Sequence, residues 1–490
     1  MPARIPQAEQ ARALLFHAGA ATPFLSANGE LCASIPSTVD SRRVLPLRSA
    51  EFRAWLTANY YSEFESAPSA AAFRSVLQTL EARARYGDFP SQKIDCRLSF
   101  EGDPFLPSRI ILNLANAAGE NIEINSRGWN IASNLAHAFR EFSSTLPLPV
   151  PQRTTVASDA LTQMTELFRL SPANRLRILT WIAAALRPAG PYPILVLTGP
   201  VASGKSVFAR ALRALIDPST VPLRRLPARE RELLPLAFQN WILAFDHVQR
   251  IPFRISQALC AISSGDALDI AQTGSREPAV FQIARPMILI APKDEIQTAW
   301  TPSRTLSNRT LHVELPPIAA PRPEAVIWSA FEALRPALLA ELCDAAATAL
   351  HRIRDVDLAQ VARFPDCALW AAAAAPALGL NEQAIMQTFC DPTSAWAGSD
   401  PVRAAIYAVI GQAGTWTGDA TTLLNLLRAA LPFAPLPATA KGLSQLLARF
   451  PELRVTRTRG TEGQRVLAIA KSSDTPQAAA NDASFVFPEN

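Results

Sequence analysis

The sequence predicts an α/β fold built around a mostly parallel sheet, because three apolar strands are separated by helical segments. The first strand opens the segment Pro193–Ala209, PILVLTGPVASGKSVFA, where a glycine-containing loop and the start of a helix follow it. The second strand is Trp241–Phe245 and the third is Pro286–Ile290. Helices that connect parallel strands pack on the sheet, so we expect it to be covered on both faces.

The loop after the first strand has the pattern G-x-x-x-x-G-K-S, the Walker A motif or P-loop. Gly199 and Gly204 let the backbone turn tightly enough for its N–H groups to face phosphate oxygens, and the next helix presents its positive N-terminus to them. Lys205 can reach the β- and γ-phosphates, and the Ser206 hydroxyl can bind Mg²⁺. We expect nine residues to bind ATP: Gly199, Pro200, Val201, Ala202, Ser203, Gly204, Lys205, Ser206 and Val207.

The second strand ends in Asp246, and an apolar strand that ends in an acidic residue downstream of a P-loop is the Walker B pattern. Its carboxylate holds Mg²⁺ together with Ser206. A strand that ends in aspartate by chance is the alternative, but the P-loop upstream favours the functional interpretation. His247 follows directly.

A hairpin is predicted between the second and third strands, in SGDALDIAQTGSREPAVFQIA, with its tip near Thr273–Arg276. A fourth strand lies within residues 304–316, and Arg309 comes directly before it. An arginine there can stabilise charge on a transferring phosphoryl group, in cis or from a neighbouring subunit. An ordinary surface arginine is an equal alternative.

The chain is expected to contain five segments. Residues 1–150 combine helices at Ala50–Tyr60 and Ser69–Tyr86 with strands at Ile110–Leu114 and Asn121–Ile124. In order, the segments are an α+β domain of unknown role at 1–150, the P-loop core at 155–320, a helical lid at 321–398, a winged helix-turn-helix at 401–471 and a disordered tail at 472–490.

Residues 401–471 predict three helices followed by a hairpin, the order of a winged helix that places its third helix in the major groove of DNA. This segment has nine Lys and Arg against three Asp and Glu, whereas the whole chain carries a net charge of only +5. Such concentrated positive charge favours a phosphate-backbone partner, although winged helices also pack against proteins. The candidate DNA contacts, including the hairpin tip, are Arg276, Lys441, Arg449, Arg454, Arg457, Arg459 and Arg465.

The composition argues against several further classes of protein and of site. The six cysteines are scattered without a C-x-x-C pair, which argues against a zinc site or a disulfide framework. No apolar run reaches the ~18 residues of a membrane-spanning helix, and the N-terminus lacks the apolar core of a signal peptide. We therefore expect a soluble cytoplasmic protein without a membrane partner.

Taken together, these pieces resemble ATPases of bacteriophages and integrative mobile elements, of the kind described as primase-associated or superfamily 3-like helicases. The resemblance covers about residues 170–470. It implies an AAA+-like core, a hairpin that projects toward DNA in the channel of a ring, and ATP hydrolysis coupled to strand separation, usually by hexamers. The segments that carry it are LRPAGPYPILVLTGPVASGKS, ALRALIDPST, NWILAFDHV, ALCAISSGD, RPMILIAP, LSNRTLHVELPPI and WTGDATTLL.

The sequence departs from this family pattern at three places. His247 follows the Walker B aspartate where relatives usually carry Asn or Glu, and Asn308 stands where they tend to have Asp. Ile290 and Ala291 replace an Asn-Gly pair whose asparagine helps to orient the attacking water. These changes leave ATP and Mg²⁺ binding intact but disfavour rapid hydrolysis, and His247 is a candidate to position water instead.

Two functions therefore remain open. The first is an ATP-driven helicase or translocase that acts on single-stranded or forked DNA, with replication proteins as further partners. The second is an ATP-gated DNA-binding initiator, loader or regulator that hydrolyses slowly or not at all. A small-molecule kinase is a weaker third alternative, because it gives no role to the winged helix or the lid.

Overall fold

The computed structural model divides into two compact units, residues 1–395 and 396–490. The residues it describes are 5–27, 29–36, 42–87, 91–133, 137–153, 159–249, 251–270, 279–291, 306, 308–357, 363–390, 406, 409, 415–430, 439, 442–443, 447, 453–459 and 465–471.

The first part of the chain folds around a small core of its own. Three helices surround an antiparallel sheet of three strands in sequential order. Ser49 and Ser69 begin the second and third helices by accepting hydrogen bonds from the backbone N–H groups of Phe52 and Ala72. The elements are α1 Gln7–Ala18, β1 Thr22–Leu25, β2 Leu31–Pro36, β3 Arg42–Pro46, α2 Ala50–Phe64 and α3 Ala70–Tyr86.

A four-stranded antiparallel meander follows, with a short parallel pair beside it. The predicted strands around the turn AAGEN are confirmed as the two central strands of this meander, in the register Ile110 opposite Ile124. The elements are β4 Ile94–Asp95, β5 Leu98–Gly102, β6 Pro107–Asn113, β7 Asn121–Asn125, β8 Gly128–Ala132 and β9 Ala138–Phe139.

A five-stranded, all-parallel sheet forms the centre of the chain and confirms the predicted α/β class. Its strands are β10 Ile194–Thr198, β11 Arg224–Arg225, β12 Leu243–Asp246, β15 Met287–Ile290 and β16 Thr310–Glu314. They lie in the order β11-β12-β15-β10-β16, and the P-loop strand β10 is wholly buried between its neighbours. The helices around it are α4 Ala160–Leu167, α5 Pro172–Ala185, α6 Lys205–Ile216, α7 Leu233–Gln239 (after a 3₁₀ turn at Glu230–Glu232) and α8 Phe253–Ser264.

The hairpin between the second and third predicted strands is present as the antiparallel pair β13 Ala267–Ile270 and β14 Ala279–Gln282. Its predicted tip near Arg276 lies outside the described residues. At its base, Gly190 and Gly265 approach the side chain of Ala284 so closely that neither has room for a Cβ without displacing it. The base of the hairpin therefore packs tightly against the end of α8 and the segment before β10.

The remaining helices of the first unit are α9 Glu324–Arg352, α10 Pro365–Ala374 and α11 Glu382–Cys390, with a 3₁₀ turn at Ala375–Leu378 between the last two. One hydrophobic core runs from Cys96 to Phe389 and includes the meander, the parallel sheet and these helices. The core thus crosses the boundaries predicted near residues 150 and 320, because buried faces of the meander and of α9 pack on the same central elements.

In the second unit, β17 Thr415–Gly418, β18 Leu453–Arg459 and β19 Arg465–Lys471 form an antiparallel sheet in the order β17-β19-β18. The predicted hairpin is present as β18 and β19, and the strand β17 was not predicted. Helix α12 Ala420–Ala430 begins after Asp419, whose carboxylate accepts the backbone N–H groups of Thr421 and Thr422. The predicted first and third helices lie largely outside the described residues, and the predicted tail lies outside them entirely.

Candidate nucleotide site

The P-loop adopts a backbone that glycine alone can provide at two positions. Gly199 has a φ of 147°, and a Cβ there would collide with the carbonyl oxygen of Leu315. Gly204 has a φ of 81° and precedes the first residue of α6. Ala202 also has a positive φ, 63°. Because Gly204 is the residue before α6, no side chain caps the first backbone N–H groups of this helix.

Lys205 lies against the loop that precedes it. Its Nζ donates hydrogen bonds to the carbonyl oxygens of Gly199, at 2.7 Å, and Pro200, at 2.6 Å, and to the Ser203 hydroxyl, at 3.2 Å. Partial burial lowers the pKa of Lys205, while the negative charge of Asp246 acts to raise it. The lysine and the carboxylate therefore share one electrostatic environment at the carboxyl ends of the strands.

Asp246 ends the strand β12, which is separated from the P-loop strand by β15 alone. At roughly 5 Å between neighbouring strands, the two strands lie about 10 Å apart. The Asp246 carboxylate accepts the backbone N–H of His247 at 2.7 Å. His247 has a φ of 54° and an exposed side chain. A left-handed histidine is uncommon and marks a backbone whose surroundings impose its conformation.

The third strand ends in apolar residues between these two motifs. Ile290 and Ala291 are fully buried, and the Ala291 N–H donates to the carbonyl oxygen of Leu197 at 3.1 Å. The Val248 N–H donates to the carbonyl oxygen of Ile290 at 3.0 Å. This arrangement holds the segment after the Walker B strand close to the P-loop strand, but it supplies no polar side chain for orienting water.

Two residues beneath the loop were not anticipated from the sequence. The Thr198 hydroxyl lies 2.6 Å from Nε2 of His312, which joins the P-loop strand to the neighbouring strand β16. Asn174, near the start of α5, donates to the carbonyl oxygen of Glu314 at 2.7 Å. Neither has a sequence signature, because each contact joins residues that are over a hundred positions apart in the chain.

Arg309 lies at the amino ends of the strands, opposite the carboxyl ends where the P-loop and Asp246 lie. It directly precedes β16, its carbonyl oxygen accepts the Ile194 N–H, and its guanidinium donates to the Ser264 hydroxyl. In the parallel register the P-loop begins beyond the far end of β10, about 15–20 Å away at ~3.3 Å per residue. The alternative in which Arg309 acts in cis therefore does not fit the structure, because its side chain is too short to span the strand.

Asp217 connects several elements of the fold, a role that was not predicted from the sequence. It ends α6, and its carboxylate accepts the backbone N–H groups of Trp241 and Ile242 at 2.9 and 3.0 Å. The same carboxylate lies 3.4 Å from the guanidinium of Arg97 and 3.7 Å from that of Arg213, both of which are buried. It thus ties the end of the P-loop helix to the start of the Walker B strand and to the N-terminal meander.

Four of the candidate DNA contacts lie on the described sheet of the second unit. Arg454 is exposed on β18, Arg457 and Arg459 follow it along that strand, and Arg465 begins β19 opposite Arg459. The remaining three candidates, Arg276, Lys441 and Arg449, lie outside the described residues. The four strand arginines are therefore carried by one hairpin.

The close approach at Gly199 gives a testable expectation. Gly199→Ala should weaken ATP binding at least tenfold, because the new Cβ must push the loop away from the Leu315 carbonyl. Gly128→Ala is the matched control: Gly128 has a similar φ of 137°, but nothing lies within 4 Å of a Cβ built there. Isothermal titration of both variants with ATP checks this, and equal affinities would contradict it.

Among the described residues, no group of three or more His, Cys, Asp or Glu side chains could hold a metal ion, and no helix is long and apolar enough to cross a bilayer. Five cysteines, Cys32, Cys96, Cys260, Cys343 and Cys367, are free and buried.

Comparisons with known proteins give one family match and several structural similarities. No curated protein matches the chain. The structure titled the A form apo structure of NrS-1 C terminal region has a TM-score of 0.41 and 10% identity, covering 94% of this chain and 99% of that one. One titled SCCmec type IV Cch, active helicase, has a TM-score of 0.45 and 12% identity, covering 92% of each chain.

The family match falls on the segment that holds the site. Residues 159–391 match the model described as actinomycete integrative conjugative element replication protein. This segment begins at the N-cap of α4 and includes the P-loop, the Walker B strand and the hairpin. The match confirms the predicted resemblance: the central part of this chain is similar to replication proteins of mobile elements.

Proposed function

We propose that this protein is an ATP-binding ATPase that acts on DNA, as a helicase or translocase in the replication of a mobile element. The observation that carries the proposal is the P-loop at the end of a buried parallel strand, with Lys205 in the electrostatic field of Asp246. Ligands of open α/β sheets bind outside the carboxyl ends of the strands, where both residues lie. The family match of residues 159–391 supports the replication context.

The residues at the carboxyl ends of these strands suit Mg²⁺ as well as ATP. A hydroxyl from Ser206 and a carboxylate from Asp246 are hard oxygen ligands, and Mg²⁺ is usually held by one or two such groups together with waters and phosphates. When bound, the ion neutralises charge on the phosphates. The P-loop backbone and Lys205 orient the triphosphate, and the free N–H groups at the start of α6 face its negative charge.

We assign to His247 the role of holding the water that attacks the γ-phosphate. It directly follows Asp246, its side chain is exposed, and the buried Ile290 and Ala291 offer no polar alternative at the end of the third strand. An imidazole at this position can accept a hydrogen bond from water and hold it toward the γ-phosphate.

His247→Ala is expected to slow single-turnover ATP hydrolysis about 100-fold or more while ATP affinity stays within a few-fold of wild type. His247→Asn tests the side chain separately from the backbone, because asparagine tolerates the left-handed conformation and can still hold water. His351→Ala is the control, an exposed histidine on α9. Turnover at the wild-type rate in His247→Ala would remove this role.

The second unit supplies the DNA-binding part of the proposal. An antiparallel sheet with α12 packed on its core, and a hairpin carrying Arg454, Arg457, Arg459 and Arg465, supports a winged helix that contacts the phosphate backbone. The hairpin between β13 and β14 would contact DNA inside a ring of subunits. In such an oligomer Arg309 would reach the nucleotide of a neighbouring subunit, since it does not reach its own. The helices of 321–398 would act as a lid.

The second candidate function is an ATP-gated DNA-binding initiator or loader. The apolar pair Ile290 and Ala291 favours it, because slow hydrolysis would let bound ATP act as an assembly switch. Steady-state ATP hydrolysis with and without single-stranded or forked DNA separates the two functions. A translocase shows DNA-stimulated turnover, whereas a gated binder does not.

A further inference from the structure

The position of Asp246 determines the direction in which a triphosphate lies in the proposed site. Its strand is on one side of the P-loop strand β10, and β16 is on the other. The γ-phosphate belongs on the side of Asp246, the carboxylate that would share Mg²⁺ with it. The nucleoside must therefore leave the P-loop on the side of β16.

The segment that follows β16 lies across the loop on that side. The carbonyl oxygen of Leu315 touches Gly199, and the side chain of Ile318 lies 3.3 Å from a Cβ built on Gly204. Two arginines hold the segment in place. Arg169 donates to the carbonyl oxygen of Ala320 at 3.3 Å, and Arg322 donates to that of Leu167 at 2.8 Å.

A cluster of three side chains continues this surface beside the P-loop helix. Arg210, one helical turn after Ser206, lies 2.6 Å from the Glu324 carboxylate, and its guanidinium is 5.7 Å from the ring centre of Trp328. The Trp328 indole N–H donates to the same carboxylate at 2.9 Å. The indole is only half-buried, and its position is fixed from below by an edge-to-face contact with the buried Phe331.

We propose that Arg210, Glu324 and Trp328 form the nucleoside-binding part of the ATP site, with the base stacked on the half-buried indole, which the Glu324 carboxylate and the Arg210 guanidinium hold in place. This inference rests on the proposed function and names the part of the site that recognises the base. An aromatic ring and a guanidinium plane are the surfaces on which bases stack, and stacking requires a fixed, partly exposed platform.

The chain contains a matched control for this cluster. Trp129, Arg153 and Asp344 make the same set of contacts elsewhere: the indole N–H donates to the carboxylate at 2.9 Å, the arginine lies 2.7 Å from it, and the guanidinium is 4.6 Å from the ring centre. This second cluster joins the meander to α9 and touches no part of the P-loop. A loss of packing alone should affect both clusters alike.

The test measures the affinities of ATP and inorganic tripolyphosphate in the full chain, each with Mg²⁺. Trp328→Ala is expected to weaken ATP about tenfold or more and to leave tripolyphosphate unchanged, because only ATP carries a base. Trp129→Ala should change neither affinity. Equal losses of both ligands in Trp328→Ala, or no loss of ATP, would overturn the proposal.

A fluorescence measurement covers the case in which Trp328→Ala does not fold. ATP should quench the tryptophan emission of the wild type and of Trp129→Phe but not of Trp328→Phe, and an unchanged ATP response in Trp328→Phe would overturn the proposal. Lys205→Ala distinguishes failure of the site itself: it should weaken both ligands, and if it weakens neither, the proposed P-loop function is at fault.

Discussion

Replacing Asp217 by alanine is expected to lower the free energy of unfolding of the first unit by about 3–5 kcal/mol. The substitution leaves the buried guanidinium of Arg97 without its carboxylate and orphans the N–H groups of Trp241 and Ile242. Arg213 loses the nearest negative charge as well, although it keeps hydrogen bonds to the carbonyl oxygens of Val221 and Pro222. Urea unfolding followed by circular dichroism measures the change.

Asp103→Ala is the control for this substitution. The Asp103 carboxylate also accepts two backbone N–H groups, those of Phe105 and Leu106, but it is exposed and water replaces it. We expect a cost of about 1 kcal/mol or less there. Asp217→Asn should fall between the two, since it keeps an acceptor but loses the charge. Equal unfolding midpoints for Asp217→Ala and Asp103→Ala would contradict this stabilising role of the Asp217 carboxylate.

Arg309→Ala is expected to lower ATP turnover about 1,000-fold with little change in ATP affinity, if the arginine completes a neighbour's site. Because Arg309 lies at the amino ends of the strands, it cannot reach its own P-loop, so the effect must arise between subunits. Ser264→Ala is the control, because it removes the hydrogen-bond partner of Arg309 and leaves the guanidinium. Its turnover should stay within a few-fold of wild type.

Mixing two inactive variants tests the same idea more sharply. Lys205→Ala lacks the P-loop lysine and Arg309→Ala lacks the arginine, so a mixed oligomer contains some interfaces with both residues intact. Partial recovery of turnover on mixing is the expected result. Wild-type turnover by Arg309→Ala alone, or no recovery in a mixture shown to co-assemble, would contradict the role in trans.

The parts of the fold that follow from local patterns could be predicted from the sequence. The P-loop, the strand that ends in Asp246 and the helix that begins at Ala50 depend on neighbouring residues, and each is found in the structure. The edge strand Arg224–Arg225 was missed because two arginines in a proline-rich loop carry no strand pattern, and it exists only by pairing with β12.

The supports of the site could not be predicted for a related reason. Thr198 and His312, or Asp217 and Arg97, are over a hundred residues apart and meet only because the strand order brings them together. The same holds for the shared core: the meander looks like a separate domain in the sequence, yet Ile110 and Ile124 belong to one cluster with the P-loop strand. Register and strand order are properties of the whole sheet.

The most direct measurement is steady-state ATP hydrolysis by the full chain, with and without single-stranded and forked DNA, beside Lys205→Ala. If the P-loop lysine contacts the phosphates and the basic hairpin of the second unit contacts DNA, as proposed, DNA stimulates ATP turnover and Lys205→Ala abolishes it. Tight ATP binding without turnover above that of Lys205→Ala would contradict a helicase or translocase and leave a nucleotide-gated DNA-binding protein.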